Sequence, residues 1–320
     1  MIERGYMKKI TTGHASIILG LVLSLSGCGY ETTTEAIAAY KAEGKTEQII
    51  KLLYDPMQAT RIEAIEALAE IQAKEALEPL AGLFNDPDKI VVHEAIDAVV
   101  EIGGPEIEPY LLEAITLDTA PAREAGATAL GSFKSPAAVD ALIIALDDYK
   151  YEQIVLAAIK SLGEIGDPRA VDPLCKKLKE RSYNIREACI AALYLIGDDA
   201  ALRGISTRLG DVREPIREAT IRALKESGAA SAPFALEVLR SESHLARAGA
   251  LDVLQEIDAV PDSGSDLVWY RLAELTIEKK PEVDPVKAEV FASIEDTIPG
   301  LLEALMHTTP AIREYASVAL

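Results

Sequence analysis

Side chains able to do chemistry are few in this sequence. Downstream of residue 27 the only histidines are His93, His244 and His307, far apart in the chain. There is no paired-histidine metal spacing, no glycine-rich phosphate loop and no nucleophile elbow. Three cysteines, Cys28, Cys175 and Cys189, are too few for a four-thiolate zinc site or a disulfide framework. Cys175 and Cys189 read as two small buried thiols, with a bridge as the alternative. The acid pairs Asp147-Asp148 and Asp198-Asp199 lie among turn residues and read as solvated turns and caps. The expectation is therefore no catalytic residue, no metal and no cofactor. What remains is recognition chemistry. Tyr149, Tyr151, Tyr183, Trp269 and Tyr270 are candidate partner-binding residues, because tyrosine and tryptophan dominate interface hot spots. Trp269 with Leu272 and Leu275 also has the spacing of a core stripe.

Composition narrows the classes further. The 320 residues are 49% hydrophobic and only 5% aromatic, so a core must be built from Ala, Leu, Ile and Val. Such a core suits closely packed helices. The formal net charge is −20, which argues against nucleic acid as a partner, since that binding needs clustered Lys and Arg.

The elements that position these residues repeat. An apolar quartet at i, i+3, i+4, i+7 recurs at heads Ala64, Ala95, Gly126, Ala158, Cys189, Thr220 and Ala250, spaced 30 to 32 residues apart, with an incomplete copy at Ala316 after a gap of 66. Each quartet is the buried stripe of one amphipathic helix. Three residues before most heads stands an arginine: Arg61, Arg123, Arg186, Arg217, Arg247 and Arg313, with Val92 and Val155 in the other two copies. This column is expected to form a structural ladder with turn acids of the next repeat. A second helix follows each quartet, with Pro79, Pro109, Pro173, Pro233 and Pro299 in its first turn, where a missing N–H costs nothing.

A two-helix unit of about 31 residues with Arg-x-x-small-x-x-Ala-Leu resembles the HEAT repeat in its short, PBS-lyase-like form. Arg186-Glu187-Ala188-Cys189 and Gly166-Asp167-Pro168-Arg169-Ala170-Val171 carry the resemblance. It implies an all-α fold, an α-α superhelix of the HEAT-like solenoid type, with first helices convex and second helices concave. The expected organisation is a regular array over 55–257 inside a solenoid spanning 34–320. Residues 34–54 form a degenerate hairpin, 258–307 a diverged repeat or an insertion, and 308–320 an incomplete last repeat. That last unit, ending at Leu320 without a second helix, is expected to be a fragment's end or to be covered by a partner. His93-Glu94 resembles one metal-binding element of the HEAT-like deoxyhypusine hydroxylases. The corresponding pairs here are Arg123-Glu124, Arg186-Glu187 and Arg217-Glu218, and arginine does not ligate metal.

The N-terminus reads as an address. Arg4, Lys8 and Lys9 precede an apolar run from Ala15 to Leu25, shorter than the roughly 20 residues needed to cross a bilayer. Met7 is an alternative start to Met1. Leu25-Ser26-Gly27-Cys28 resembles the lipobox of bacterial lipoproteins, which implies cleavage between Gly27 and Cys28 and lipidation of Cys28. Residues 1–27 are then the signal peptide and 28–33 a linker. Gly29, in place of the aspartate that marks inner-membrane retention in Gram-negative lipoproteins, implies an outer-membrane location facing the periplasm.

Together these features lead to the expectation of a non-enzymatic, lipid-anchored scaffold in the bacterial cell envelope, binding a protein partner of unknown identity. The alternative is a HEAT-like enzyme or enzyme accessory, of the phycobilin-lyase or His-Glu metal type.

Overall fold

The computed structural model describes residues 33–262, 264–277 and 298–320. The signal segment, Gly27, Cys28, most of the linker and 278–297 of the diverged segment lie outside the described residues. The chain divides into two compact units, residues 1–102 and 103–320.

In the first unit, helices α1 (Thr33–Ala42) and α2 (Thr46–Leu52) form the degenerate hairpin, followed by α3 (Gln58–Glu70), α4 (Leu77–Gly82) and α5 (Lys89–Ile102). Helix α3 packs against α2 and α5, and α4 closes against α5. Three of the first quartet, Ala64, Ala67 and Leu68, are buried in α3, as is the quartet Ala95-Ala98-Val99-Ile102 in α5. Alanine at the head of each stripe lets a neighbouring backbone come close. Lys41 pairs with Glu70, and Thr34 donates to Glu63 at 3.0 Å, tying the first hairpin to α3.

The second unit continues the same rhythm. Its helices are α6 (Glu108–Ala114), α7 (Ala120–Ser132), α8 (Val139–Ala145), α9 (Glu152–Ile165), α10 (Val171–Lys177), α11 (Tyr183–Ile196), α12 (Asp199–Ser206), α13 (Glu214–Glu226), α14 (Ala232–Val238), α15 (His244–Glu256), α16 (Gly264–Ile277), α17 (Ile298–Leu305) and α18 (Pro310–Ala319). First helices α7, α9, α11, α13 and α15 pack side by side, each on the next, and second helices α10, α12 and α14 form a parallel layer. This is the all-α, HEAT-like solenoid class read from the sequence. Gly166 and Gly197 end α9 and α11 at φ 74° and 68°, a left-handed cap that glycine adopts without a Cβ penalty. Asp167, Ser182, Asp198 and Ser243 then cap the following helices by accepting backbone N–H groups.

Candidate functional site

The arginine column has one recurring geometry. Each arginine turns its guanidinium back over the turn that precedes its own helix. Arg61 Nη1 donates to the carbonyls of Asp55 and Pro56 at 2.9 and 3.3 Å. Arg123 does so to Leu117 and Asp118, Arg186 to Glu180 and Arg181, Arg247 to Ser241 and Glu242, and Arg313 to His307 and Thr308. Arg217 reaches Asp211 alone, at 2.8 Å.

Three of the six go further. Arg61 Nη2 meets Asp86 at 2.9 Å, Arg123 Nη2 meets Asp148 at 3.1 Å, and Arg186 Nη2 meets Asp211 at 3.2 Å. Each aspartate lies 25 residues downstream, in the turn of the next repeat. Its own carboxylate also accepts a backbone N–H two residues on, from Asp88, Lys150 and Arg213 respectively. A single carboxylate thus shapes one turn and bonds the arginine of the repeat before it. Asp148 is therefore a rung and not merely a solvated turn acid. Asp198 accepts from the Ala201 N–H at 2.7 Å as a helix cap. For Arg217 the repeat is one residue shorter and Ser241 takes the aspartate's turn position, while Leu272 stands 25 residues on from Arg247; neither arginine has an ion pair among the described residues. Burial pulls the Arg247 guanidinium below the ordinary arginine range, with Glu242 opposing that shift.

The candidate aromatic residues separate into two groups. Tyr149 is 88% exposed at an inter-repeat turn, with Lys177 Nζ 5.3 Å from its ring centre. Tyr151 lies under Arg123 and Lys150, and the exposed Tyr183 under Arg213. Tyr149 and Tyr151 lie in the turn before α9, and Tyr183 is the first residue of α11. Trp269 and Tyr270 differ: both are buried, Trp269 donates its indole N–H to Glu303 at 3.2 Å, and its ring packs against His307. Their assignment as partner-binding residues is corrected accordingly; they pack in the core of the C-terminal helices.

Cys175 and Cys189 are both free thiols, so the bridge considered from sequence is absent. Burial pushes Cys189 up to about 12, and burial followed by Asp172 and Asp198 raises Cys175. Neither is an activated nucleophile at neutral pH. His93 is half-buried on α5, with Nδ1 2.7 Å from the Lys89 carbonyl. Among the described residues, no group of three or more His, Cys, Asp or Glu side chains is placed to hold a metal ion, and no helix is long and apolar enough to cross a membrane.

Clefts open between repeats of the second unit. One of about 540 Å³ lies on the layer of second helices, lined by Asp172 and Cys175 of α10, Asp199, Ala200, Arg203 and Gly204 of α12, Thr207, and Phe234 of α14. Arg203 stacks over the Phe234 ring at 5.2 Å and pairs with Glu237 at 2.6 Å. Sequence reasoning missed this cleft. Phe234 and Arg203 look unremarkable singly, and only the stacking of adjacent repeats brings them together.

A family description for HEAT repeats matches residues 46–129, 81–157, 111–193 and 152–225, more than half of the chain. The chain belongs to the HEAT-repeat family. Two curated relatives are the bilin biosynthesis protein PecE of Nostoc sp. strain PCC 7120, 45% identical over 73 residues, and that of Mastigocladus laminosus, 44% identical over 73 residues. Each match covers 23% of this chain, and the chain spans 29% and 27% of those relatives' lengths. Among solved structures, the CpcE–CpcF complex of phycocyanin lyase from Nostoc sp. PCC7120 aligns with 72% of this chain and 94% of its own, at 18% identity and TM-score 0.42. The two PecE matches overturn the expectation of a non-enzymatic envelope scaffold, which had set the bilin-related alternative aside on the strength of the N-terminal address.

Proposed function

We propose that this HEAT-repeat chain acts in bilin chemistry, as an enzyme or enzyme subunit of the lyase type that handles an open-chain tetrapyrrole together with the protein receiving it. The observation carrying this reading is the 45% identity to PecE over 73 residues. The cleft of α10, α12 and α14 offers suitable chemistry. Phe234, under the Arg203 guanidinium, supplies an apolar floor, and the exposed Arg203 a cation that can exchange Glu237 for a propionate carboxylate. Cys175, held as a neutral thiol, serves as wall and not as attachment point in this reading. The test is absorption titration with biliverdin. The expected result is a shifted, strengthened long-wavelength band in the wild type and at least tenfold weaker binding after Phe234→Ala or Arg203→Gln. An unchanged biliverdin spectrum at micromolar protein, with phycocyanobilin equally silent, would overturn it.

We further propose lipidation at Cys28, which rests only on Leu25-Ser26-Gly27-Cys28 following a short apolar run. One acyl chain binds a membrane marginally and two bind it stably. The corresponding location is the outer membrane, facing the periplasm. Fractionation decides the matter: Cys28→Ala should move the protein out of the membrane fraction or leave it unprocessed. A variant processed and membrane-bound like the wild type would overturn it.

A further inference from the structure

The ladder described above lacks a rung at one place. At the turn between α14 and α15, the position held by Asp211 one repeat earlier is occupied by Ser241. The local geometry is kept: Ser241 Oγ accepts from the Ser243 N–H at 3.2 Å, as Asp211 accepts from Arg213 at 3.0 Å. Arg247 bonds the Ser241 carbonyl as Arg217 bonds that of Asp211. Only the carboxylate is gone, and Arg217 is left with one carbonyl and no acid.

Ser241 does not face a closed core. It lines a cleft of about 460 Å³, a volume typical of small-ligand sites, together with Lys179, Arg186, Arg208, Asp211 and Ser243. Lys179 is exposed and in no ion pair among the described residues. Arg208 bonds the Leu178 carbonyl at 3.1 Å and stays 4.0 Å from Asp211. Arg186 is buried, and its Nε, 3.1 Å from Asp211 Oδ2 but off the line of its N–H, makes no hydrogen bond. The other carboxylate on the cleft, Glu180, is drawn to Lys177 at 3.4 Å. Cations thus outnumber carboxylates here, in a chain whose net charge is −20.

We propose that this cleft is an oxyanion site, binding a phosphate- or carboxylate-bearing small ligand beside Ser241. Lys179 and Arg208 supply charge from the rim, and the Ser241 and Ser243 hydroxyls supply orientation. The site adjoins the second-helix cleft at Thr207 and does not rest on the bilin reading.

Thermal unfolding tests it, with phosphate, succinate and chloride compared at equal ionic strength. Phosphate or succinate is expected to raise the wild-type Tm by about 2–4 °C above chloride, as a ligand of the folded state does. The stronger of the two identifies the ligand's source. Ser241→Asp should restore the rung, raise Tm without added anion and abolish the response. Lys179→Gln, a surface change that leaves folding intact, should weaken the response severalfold. A wild type equally stable in all three salts would overturn the proposal, as would a Ser241→Asp variant that still responds like the wild type.

Discussion

An arginine at the head of a repeat serves two turns at once, which a lysine could not. Its planar fork bonds the carbonyls of its own turn through Nη1 and the next repeat's aspartate through Nη2. Asp211 and Arg186 are both nearly buried, so removing one strands the other. Arg186→Ala is expected to cost about 3 kcal/mol, the price of an orphaned buried charge. Arg217→Ala, which abandons no carboxylate, should cost about 1 kcal/mol. Urea unfolding of the two variants checks the difference, and equal losses would contradict it. The arginines were legible in the sequence by their fixed place before each quartet. Which of them find an acid was not, because the partner lies 25 residues away and looks like an ordinary turn aspartate. The thiols give a second expectation at this scale. Cys189 titrates near 9 when unfolded and about 12 when folded. Below pH 9 both states hold the proton. Between about 9 and 12 only the folded state does, so unfolding releases a proton and stability falls as pH rises. Cys189→Ala should flatten that slope between pH 9 and 11 in unfolding free energy. Native alkylation, followed by mass spectrometry, should modify Cys175 before Cys189.

Helices were legible wherever one face is apolar at the helical period, because that pattern needs only local sequence. Within the expected hairpin 34–54, diverged segment 258–307 and last repeat 308–320, helices form at Thr33–Ala42, Ile298–Leu305 and Pro310–Ala319. What local pattern cannot state is which side of a helix meets a neighbour. Trp269 was weighed as both hot spot and core, and the answer came from α17, whose Glu303 accepts its N–H. The same limit hid the tightest packing. A Cβ on Gly163 of α9 would stand 2.7 Å from Ala192 Cα of α11, and one on Gly131 of α7 would stand 2.7 Å from Ser161 Cα of α9. Both obstacles are backbone of a packed helix, so they cannot swing aside. Gly163→Ala, although favourable for an isolated helix by up to about 1 kcal/mol, should therefore destabilise the protein by about 1–3 kcal/mol through overpacking. Calorimetric Tm values give the sign. A rise in Tm would mean that α9 and α11 separate more easily than their spacing indicates.

Across the whole molecule, charge and packing pull in different directions. A net charge of −20 on a 34.4 kDa chain makes the exposed carboxylates repel one another in the folded state. The ladder pairs Arg61–Asp86 and Arg186–Asp211, with side chains no more than 10% exposed, sit largely out of reach of mobile ions. Added salt should then weaken the repulsion more than it weakens the ladder, because screening acts mainly on exposed charges separated by a Debye length of about 10 Å at 0.1 M. Raising sodium chloride from about 0.02 to 0.5 M is thus expected to raise Tm. The surface pairs work against this trend. Arg203–Glu237 and Arg240–Asp266 are half-exposed and lose strength in salt, but such pairs contribute only about 0–1 kcal/mol each. A Tm that fell steadily with sodium chloride would therefore reverse the ranking: exposed ion pairs, and not the buried column, would be holding the repeats together. The same titration supplies the baseline for the oxyanion site, since phosphate must exceed this general salt effect before any of its stabilisation can be assigned to Ser241 and its neighbours.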